Sequence, residues 1–322
     1  NDSMPKLEIM PIADTIVFKP KFIERYSKLT DWDEFKKYCL AFLPRSIRVN
    51  TLKANVADVK KSIEAKGWIL EAIPWCDTGF WIHHPDRRDT GNLLEHKLGY
   101  IYIQESVSML PPLFLDPKPG EMVLDMCAAP GSKTSQIATM MKNEGLLLAN
   151  DYRGQRIQSL GINLQRMGVT NCVVTLMNGE KFSGLTCDKI LVDAPCSGTG
   201  TIRKSLKTIR IWNPKMLRKI SNQQKKLLMT AWKNVVPGGV VVYSTCSLEP
   251  EENEAVVTWL LENVDDAELE EVKLPGLKVG KAVKEFEGAV YHKDIDKVCR
   301  VWPQDNNTEG FFVAKFRKKD ND

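Results

Sequence analysis

The clearest pattern in the chain is an alternation of strand-like and helix-like segments after residue 116. Five short apolar runs of the kind found in buried parallel strands lie at residues 122–126, 146–149, 172–176, 190–192 and 240–243. Apolar positions at helical spacing lie between them, at residues 133–142, 153–167 and 214–235. This alternation predicts an α/β fold, a doubly wound sheet with helices on both faces. Such sheets bind ligands beyond the carboxyl ends of their strands.

A different pattern fills the first 115 residues. Residues 22–42 mix apolar and charged positions at roughly helical spacing, and residues 45–52 are typical of a strand. Another helical pattern at 56–66 and strand-like pieces at 68–73, 79–83 and 100–104 follow. The Pro111-Pro112 pair limits any helix in the connecting stretch 106–115. We therefore predict a helical extension at 1–44, a small α+β domain at 45–115 and a larger α/β domain at 116–322.

Length and composition are those of a globular protein with more than one domain. The 322 residues are 43% hydrophobic and 27% charged, which argues against a disordered or fibrous chain. The sequence has neither an apolar run of roughly 20 residues that could span a bilayer nor the pattern of a secretion signal. We therefore expect a cytoplasmic protein without a membrane partner.

Charge and cysteine content narrow the classes of partner. The net charge of +4 conceals nine Lys or Arg without an acid at residues 203–226, and ten acids without a base at 249–271. The basic block favours a phosphate-bearing partner, although a solvated amphipathic helix is the alternative. The eight cysteines form no CxxC pair and have no zinc-finger spacing with the four histidines, so we expect reduced thiols and no metal site.

The loops that follow the first two predicted strands suggest a cofactor site. The first strand ends in Asp125-Met-Cys-Ala-Ala-Pro-Gly-Ser-Lys-Thr, whose small residues let the backbone approach a ligand closely. The phosphate loop GxxxxGK[ST] and the dinucleotide fingerprint GxGxxG are both absent, which argues against a nicotinamide dehydrogenase. Asp151 follows Gly131 by 20 residues, the place of a ribose-binding acid in doubly wound domains. A plain tight turn and a helix-capping Asp remain the alternatives.

Two cysteines follow the fourth and fifth predicted strands. Cys196 lies in Asp193-Ala-Pro-Cys-Ser-Gly-Thr-Gly and Cys246 in Ser244-Thr-Cys-Ser. A buried cysteine is usually a small hydrophobic residue. Two of them on the ligand side of one sheet, each in a loop rich in Ser, Thr and Gly, favour a catalytic role.

These segments resemble the RNA cytosine-5 methyltransferases of the Fmu and Sun-domain type. Residues 125–134 are similar to the S-adenosylmethionine loop of that family, 193–198 to its proline-cysteine motif, and 243–247 with Glu251-Glu-Asn-Glu to its threonine-cysteine motif. Residues 300–312 are similar to its C-terminal signature and 45–53 to the start of its RRM-like RNA-binding domain. The resemblance covers about residues 45–316, and among subfamilies the compact archaeal tRNA enzymes look most similar.

The resemblance implies a Rossmann-like methyltransferase domain at 116–322 and a role for each motif residue. Cys246 would add to C6 of the cytosine, Cys196 would aid product release, Asp193 would assist at N3, and Lys133 would hold the base or Asp193 in position. The cofactor would be S-adenosyl-L-methionine, bound by Cys127, Ala128, Ala129, Pro130, Gly131, Ser132, Lys133, Asp151, Arg156, Asn178 and Asp193. The family usually has Asp-Gly or Asp-Ala where Asn178-Gly179 stand, and the amide oxygen of Asn178 can still accept a hydrogen bond from the adenine amine.

RNA, and tRNA in particular, is the partner that the resemblance and the basic block together suggest. We expect phosphate contacts from Arg45, Arg48, Lys53, Arg203, Lys204, Lys207 and Arg210, in a protein that acts as a monomer without a metal. Ribosomal RNA is the alternative substrate. A non-catalytic RNA-binding factor of the same fold, acting in ribosome assembly, is the alternative function.

Overall fold

In the computed structural model, which describes residues 5–320, the N-terminal helices pack against the larger α/β domain. They are α1 (Pro20–Ser27) and α2 (Trp32–Cys39), and the Asp31 side chain caps α2 by accepting from the amides of Asp33 and Glu34. Phe22 packs edge-on against Trp212, and Phe35 against Trp302. The outermost parts of the predicted extension and α/β domain, residues 1–4 and 321–322, lie outside the described residues.

The small α+β unit is a four-stranded antiparallel sheet with one helix on it. Its strands are β1 (Ser46–Val49), β2 (Ile69–Ala72), β3 (Gly79–His83) and β4 (Ile101–Ile103), in the order β2-β3-β1-β4. Helix α3 (Val56–Glu64) buries Val59 and Ile63 against the sheet because these residues lie four apart on one helix face. A short α4 (Leu94–Lys97) precedes β4.

The segment joining the two units is more ordered than the sequence predicted. It forms a 3-10 turn at Val107–Met109 and then α5 (Leu110–Leu115). Pro111 and Pro112 occupy the first turn of this helix, where the missing N–H groups have no intrahelical partner in any case. The proline pair therefore starts a helix, and α5 is buried against the large sheet.

The central sheet of the α/β domain is mixed rather than purely parallel. Its parallel strands are β5 (Met122–Asp125), β6 (Leu146–Asp151), β7 (Cys172–Leu176), β8 (Cys187–Asp193) and β9 (Val235–Thr245). The antiparallel strands β10 (Ala267–Glu270), β13 (Cys299–Val301) and β14 (Phe311–Lys318) complete one side, and the main strand order is β10-β14-β9-β8-β5-β6-β7. The doubly wound fold is confirmed, and the five predicted strands are the parallel ones; the antiparallel strands after β9 were not predicted. A two-stranded ribbon, β11 (Glu285–Phe286) and β12 (Ala289–Val290), lies apart from it.

Helices cover both faces of this sheet, as its continuous apolar strands predicted. One face packs on α9 (Leu217–Asn234) and α10 (Glu254–Asn263), and the other on α5 and α6 (Ser132–Met140). Helix α7 (Gly154–Met167) lies beside β6 and β7, and the short helices α8 (Lys207–Ile211) and α11 (Pro303–Asn306) lie in connecting segments. β7 is the edge strand, and its Val173 and Leu176 are half exposed rather than buried as predicted.

Among residues 5–320, none of the helices combines the length and the apolar character that a membrane span requires. The same residues contain no group of three or more His, Cys, Asp or Glu side chains arranged to hold a metal ion.

Candidate active site

The loop between β5 and α6 turns tightly against α7. Gly131 has a φ of 107°, and a Cβ atom there would lie 3.0 Å from Leu160 Cδ1. Behind the loop, the Thr134 hydroxyl donates to Asp125 Oδ2 at 2.7 Å, and burial raises the pKa of Asp125 to about 7. The positive φ and the nearby Leu160 side chain together require glycine at position 131. With this turn, the backbone from Cys127 to Ser132 lies close to the end of the sheet.

Asp151 ends β6 next to this loop and is almost completely buried. Its Oδ1 accepts from the Arg153 amide at 3.1 Å, so it does cap the segment leading into α7. Its Oδ2 lies 3.2 Å from the Arg156 guanidinium but has no hydrogen bond of good geometry. A buried carboxylate oxygen without a hydrogen-bond donor is suited to accept from a ligand hydroxyl.

The remaining predicted cofactor residues lie around the same edge of the sheet. Arg156 also donates to the carbonyl of Ala129, and so connects the loop to Asp151. Asn178 follows β7, is exposed, and accepts from the Glu180 amide at 3.0 Å, which caps a 3-10 turn.

The two candidate cysteines meet beyond the ends of β8 and β9. These strands are paired in parallel with Asp193 beside Ser244, so the loops that leave them start side by side. Cys196 Sγ and Cys246 Sγ lie 2.8 Å apart and share a hydrogen bond, and both residues are partly buried. The hydrogen bond to Cys246, burial, and the negative charge of Glu252 all raise the pKa of Cys196 well above its ordinary value.

An ion pair lies beside the cysteines. Lys133 Nζ is 2.8 Å from Asp193 Oδ2, and the Ser244 hydroxyl donates to Asp193 Oδ1 at 2.8 Å. Burial lowers the pKa of Lys133, but the adjacent Asp193 carboxylate outweighs it and the net shift is upward. The site therefore contains two thiols, a carboxylate with fixed orientation and a lysine that stays charged, all at the same edge of the sheet.

Sequence reasoning missed the residues that organise the second cysteine loop. In Glu251-Glu-Asn-Glu, Asn253 accepts from the Thr245 hydroxyl at 2.6 Å and donates to the Ser247 carbonyl at 2.8 Å. Glu254 forms a completely buried ion pair with Arg300. The available signal was an acid-rich motif at a short distance after Cys246, together with an arginine in the C-terminal signature.

The structure contradicts two of the predicted RNA contacts. Arg48 is 1% exposed and donates to Gln104 Oε1 at 2.8 Å and Ser135 Oγ at 2.7 Å. Arg203 is 4% exposed and donates to the Ala41, Phe42 and Thr308 carbonyls and to the Asn307 side chain. Both guanidinium groups connect parts of the protein and are not available to a phosphate.

The other predicted RNA residues lie at the surface. Arg45, Lys204, Lys207 and Arg210 are exposed. Lys53 is exposed as well, but its ammonium donates to the Leu98 and Arg166 carbonyls, which joins the small sheet to α7.

The acidic block at 249–271 is not the continuous surface that its composition suggested. Glu249, Glu252 and Glu254 are completely buried and accept hydrogen bonds within the protein. The contrast between a basic and an acidic surface, which the sequence suggested, is therefore limited to the later acids of the block.

Two family profiles and several curated relatives identify the family of the chain. Residues 112–317 match the profile of the 16S rRNA methyltransferase RsmB/F family, and residues 18–106 match the N-terminal domain of 16S rRNA methyltransferase RsmF. The chain is 48% identical to a tRNA (cytosine(49)-C(5))-methyltransferase of Pyrococcus abyssi over 92% of its own length and 96% of the relative's. It is 44% identical to ribosomal RNA small subunit methyltransferase F of Shewanella amazonensis over 89% of its length, but spans only 60% of that longer protein.

Solved structures agree with these sequence matches. A methyltransferase homolog protein from Pyrococcus horikoshii superposes with a TM-score of 0.80 at 36% identity and covers 93% of this chain and 99% of that one. NSun6 from the same organism shares the fold, with a TM-score of 0.82 at 23% identity, and covers 94% of this chain and 99% of that one. The profile match over residues 112–317 and the 48% identity to the Pyrococcus abyssi relative show that the chain belongs to the RsmB/F family of S-adenosylmethionine-dependent RNA cytosine-5 methyltransferases.

Proposed function

We propose that this protein methylates C5 of a cytosine in tRNA through a covalent adduct between Cys246 and C6 of the base. The observation that supports this most directly is the meeting of Cys246 and Cys196, 2.8 Å apart, beside the Lys133–Asp193 ion pair. A structural pair of buried thiols would not need a charged lysine and an oriented carboxylate next to it.

The chemistry needs these groups because C5 of cytosine is a poor nucleophile. When the Cys246 thiolate adds to C6, the C5–C6 double bond is lost and the ring becomes an enamine in which C5 is nucleophilic. This addition is easier if N3 accepts a proton or a hydrogen bond. The Asp193 carboxyl is oriented towards this role by Ser244 and Lys133, and the Lys133 ammonium, 2.8 Å away, would supply the proton that Asp193 passes to N3. Cys196 would then promote loss of the proton from the methylated C5, and the C6–S bond to Cys246 breaks as the ring double bond re-forms and Cys246 leaves with that electron pair.

Bound S-adenosylmethionine would supply the methyl group. The Oδ2 of Asp151, which accepts no hydrogen bond within the protein, fits the ribose hydroxyls, and the close turn at Gly131 leaves backbone for the methionine end. We propose that the holding residues are those of the loop and its neighbours, namely Cys127, Ala128, Ala129, Pro130, Gly131, Ser132, Lys133, Asp151, Arg156, Asn178 and Asp193.

We propose that the RNA lies across the exposed cations near the cysteine loops. Arg45, Lys204, Lys207 and Arg210 are exposed, and the small α+β domain at 45–115 would hold the strand from the other side. The target cytosine must leave its stack or come from an unpaired region to reach Cys246.

Transfer RNA is the substrate that the relatives favour. The Pyrococcus abyssi tRNA enzyme matches this chain over nearly its whole length, whereas the ribosomal RNA relative carries a further part that this chain does not match. The proposal places the enzyme in the cytoplasm, as a monomer.

The test is methyl transfer to defined RNAs. With labelled cofactor, the protein should label unmodified tRNA transcripts at one or a few cytosines, located by bisulfite sequencing, and Cys246→Ala should label none. Label on 16S ribosomal RNA alone would replace tRNA as the substrate. RNA binding without any methyl transfer would overturn the proposal in favour of a non-catalytic binding factor.

A further inference from the structure

Glu252 connects the two cysteine loops. Its Oε1 accepts from the Ser197 amide at 2.8 Å, and its Oε2 accepts from the hydroxyls of Ser197 and Ser247. Ser197 directly follows Cys196, and Ser247 directly follows Cys246. Gln224 of α9 donates to the same carboxylate and to the Pro195 carbonyl, each at 3.0 Å. One completely buried carboxylate therefore fixes the backbone next to both sulfurs.

The charges around the two sulfurs differ. Lys133 pairs with Asp193 at 2.8 Å, and Asp193 lies beside Ser244, two residues before Cys246; the negative charge of Cys246 contributes to the raised pKa of the lysine. Around Cys196 the titratable groups are Cys246 itself, Glu252 and the buried phenol of Tyr243, and the group that α9 contributes, Gln224, is neutral. A cation therefore lies on the Cys246 side of the pair and an anion on the Cys196 side.

We propose that Glu252 is a positioning residue for the methyl transfer, which sets the spacing of the two cysteine loops and places a negative charge on the Cys196 side of the pair. The inference rests on the proposed function and adds a role for an acid that no step of that chemistry uses directly. Its consequence is a division of states in the resting enzyme. Cys196, whose pKa is raised by its hydrogen bond to Cys246, by burial and by Glu252, remains a thiol, while Cys246, 2.8 Å away, is the sulfur that attacks C6.

The division can be measured without RNA by peptide-resolved alkylation. Trypsin separates the two cysteines, because Cys196 lies in residues 190–203 and Cys246 in residues 234–273. In Glu252→Gln, iodoacetamide modification of Cys196 relative to Cys246 should rise about tenfold near neutral pH, as for a pKa lowered by one unit. The amide keeps an acceptor oxygen for the Ser197 amide, and circular dichroism confirms that the variant is folded.

Two further variants separate charge from position. Glu251→Gln is the matched control, because Glu251 contacts Arg25 at 2.7 Å and neither cysteine loop, and its alkylation ratio should equal that of the wild type. Glu252→Asp keeps the charge but shortens the side chain, so its alkylation ratio should stay near the wild-type value while kcat falls. In both Glu252 variants kcat should fall about tenfold or more with the KM for S-adenosylmethionine unchanged.

The inference is overturned if Glu252→Gln leaves the alkylation ratio unchanged, or if Glu251→Gln changes it as much. A parallel rise in the cofactor KM would also overturn it, because it would indicate general damage to the domain. Since alkylation needs no RNA, absence of methyl transfer in the wild type would refute the proposed function without touching this result.

Discussion

Arg300→Met should destabilise the protein through the ion pair that supports the nucleophile loop. Arg300 and Glu254 are both completely buried, and the guanidinium donates to the two carboxylate oxygens at 2.7 and 2.5 Å. Its third donor reaches the Leu248 carbonyl at 2.8 Å, two residues after Cys246. Methionine fills a similar volume but leaves the Glu254 carboxylate buried without its counter-charge and the Leu248 carbonyl without its donor.

The expected loss follows from that burial. Breaking a buried pair by removing one partner costs about 3–5 kcal/mol, because the remaining charge stays desolvated. At about 2–4 °C per kcal/mol for a domain of this size, the melting temperature should fall by about 6–20 °C. The double variant Arg300→Met/Glu254→Gln removes both charges and keeps an acceptor for the Val283 amide, which donates to Glu254 at 3.1 Å. It should therefore recover about 2 kcal/mol or more of the single variant's loss.

Urea unfolding followed by circular dichroism measures these differences, and Lys284→Met is a matched control, since Lys284 pairs with Asp296 at the surface. That control should change the unfolding free energy by less than about 1 kcal/mol. The reasoning is refuted if Arg300→Met loses less than about 1 kcal/mol, or if the double variant loses as much as the two single variants together.

Three further variants test the site and its surroundings. Asp151→Ala should weaken S-adenosylmethionine binding about 10–100-fold in calorimetry, by loss of a charged hydrogen-bond acceptor, and an unchanged Kd would remove Asp151 from the cofactor site. Lys133→Met should lower kcat about 10²–10⁴-fold, and retention of most of the rate would show that the ion pair with Asp193 is dispensable. Burial, together with neighbouring Glu105, raises the pKa of Glu309 from 4.5 to about 8, so the wild type loses stability as pH rises through that window. Glu309→Gln cannot ionise, so its melting temperature should exceed that of the wild type increasingly from pH 5 to pH 8, and a difference independent of pH would contradict this.

Local sequence patterns were sufficient for the parallel half of the sheet and for the cysteines. Strands β7 and β3 begin and end where periodicity predicted them, and the two cysteines do meet, because parallel strands deliver their following loops to one edge. The antiparallel strand β14 was missed, although five of the six residues at 311–316 are apolar. Only its pairing with β9, across some 70 residues of chain, distinguishes it from a continued α/β alternation.

Charge was the weakest guide, because sequence does not show which charged side chains are buried. Arg48 and Arg203 belong to basic segments but serve as internal donors, and Glu252 belongs to an acidic segment but connects the cysteine loops. Each of these roles depends on partners distant in sequence, so no local pattern predicts them. For the exposed cations Arg45, Lys204, Lys207 and Arg210, RNA binding stays a prediction.

The covalent step is the central claim, and a denaturing gel tests it most directly. Cys196→Ala, incubated with labelled tRNA transcript and S-adenosylmethionine, should form a protein–RNA adduct that survives denaturation, because Cys246 can attack C6 but is not released. The adduct should vanish in Cys196→Ala/Cys246→Ala. An adduct that persists without Cys246, or none in Cys196→Ala despite methyl transfer by the wild type, would contradict the assignment of the two cysteines.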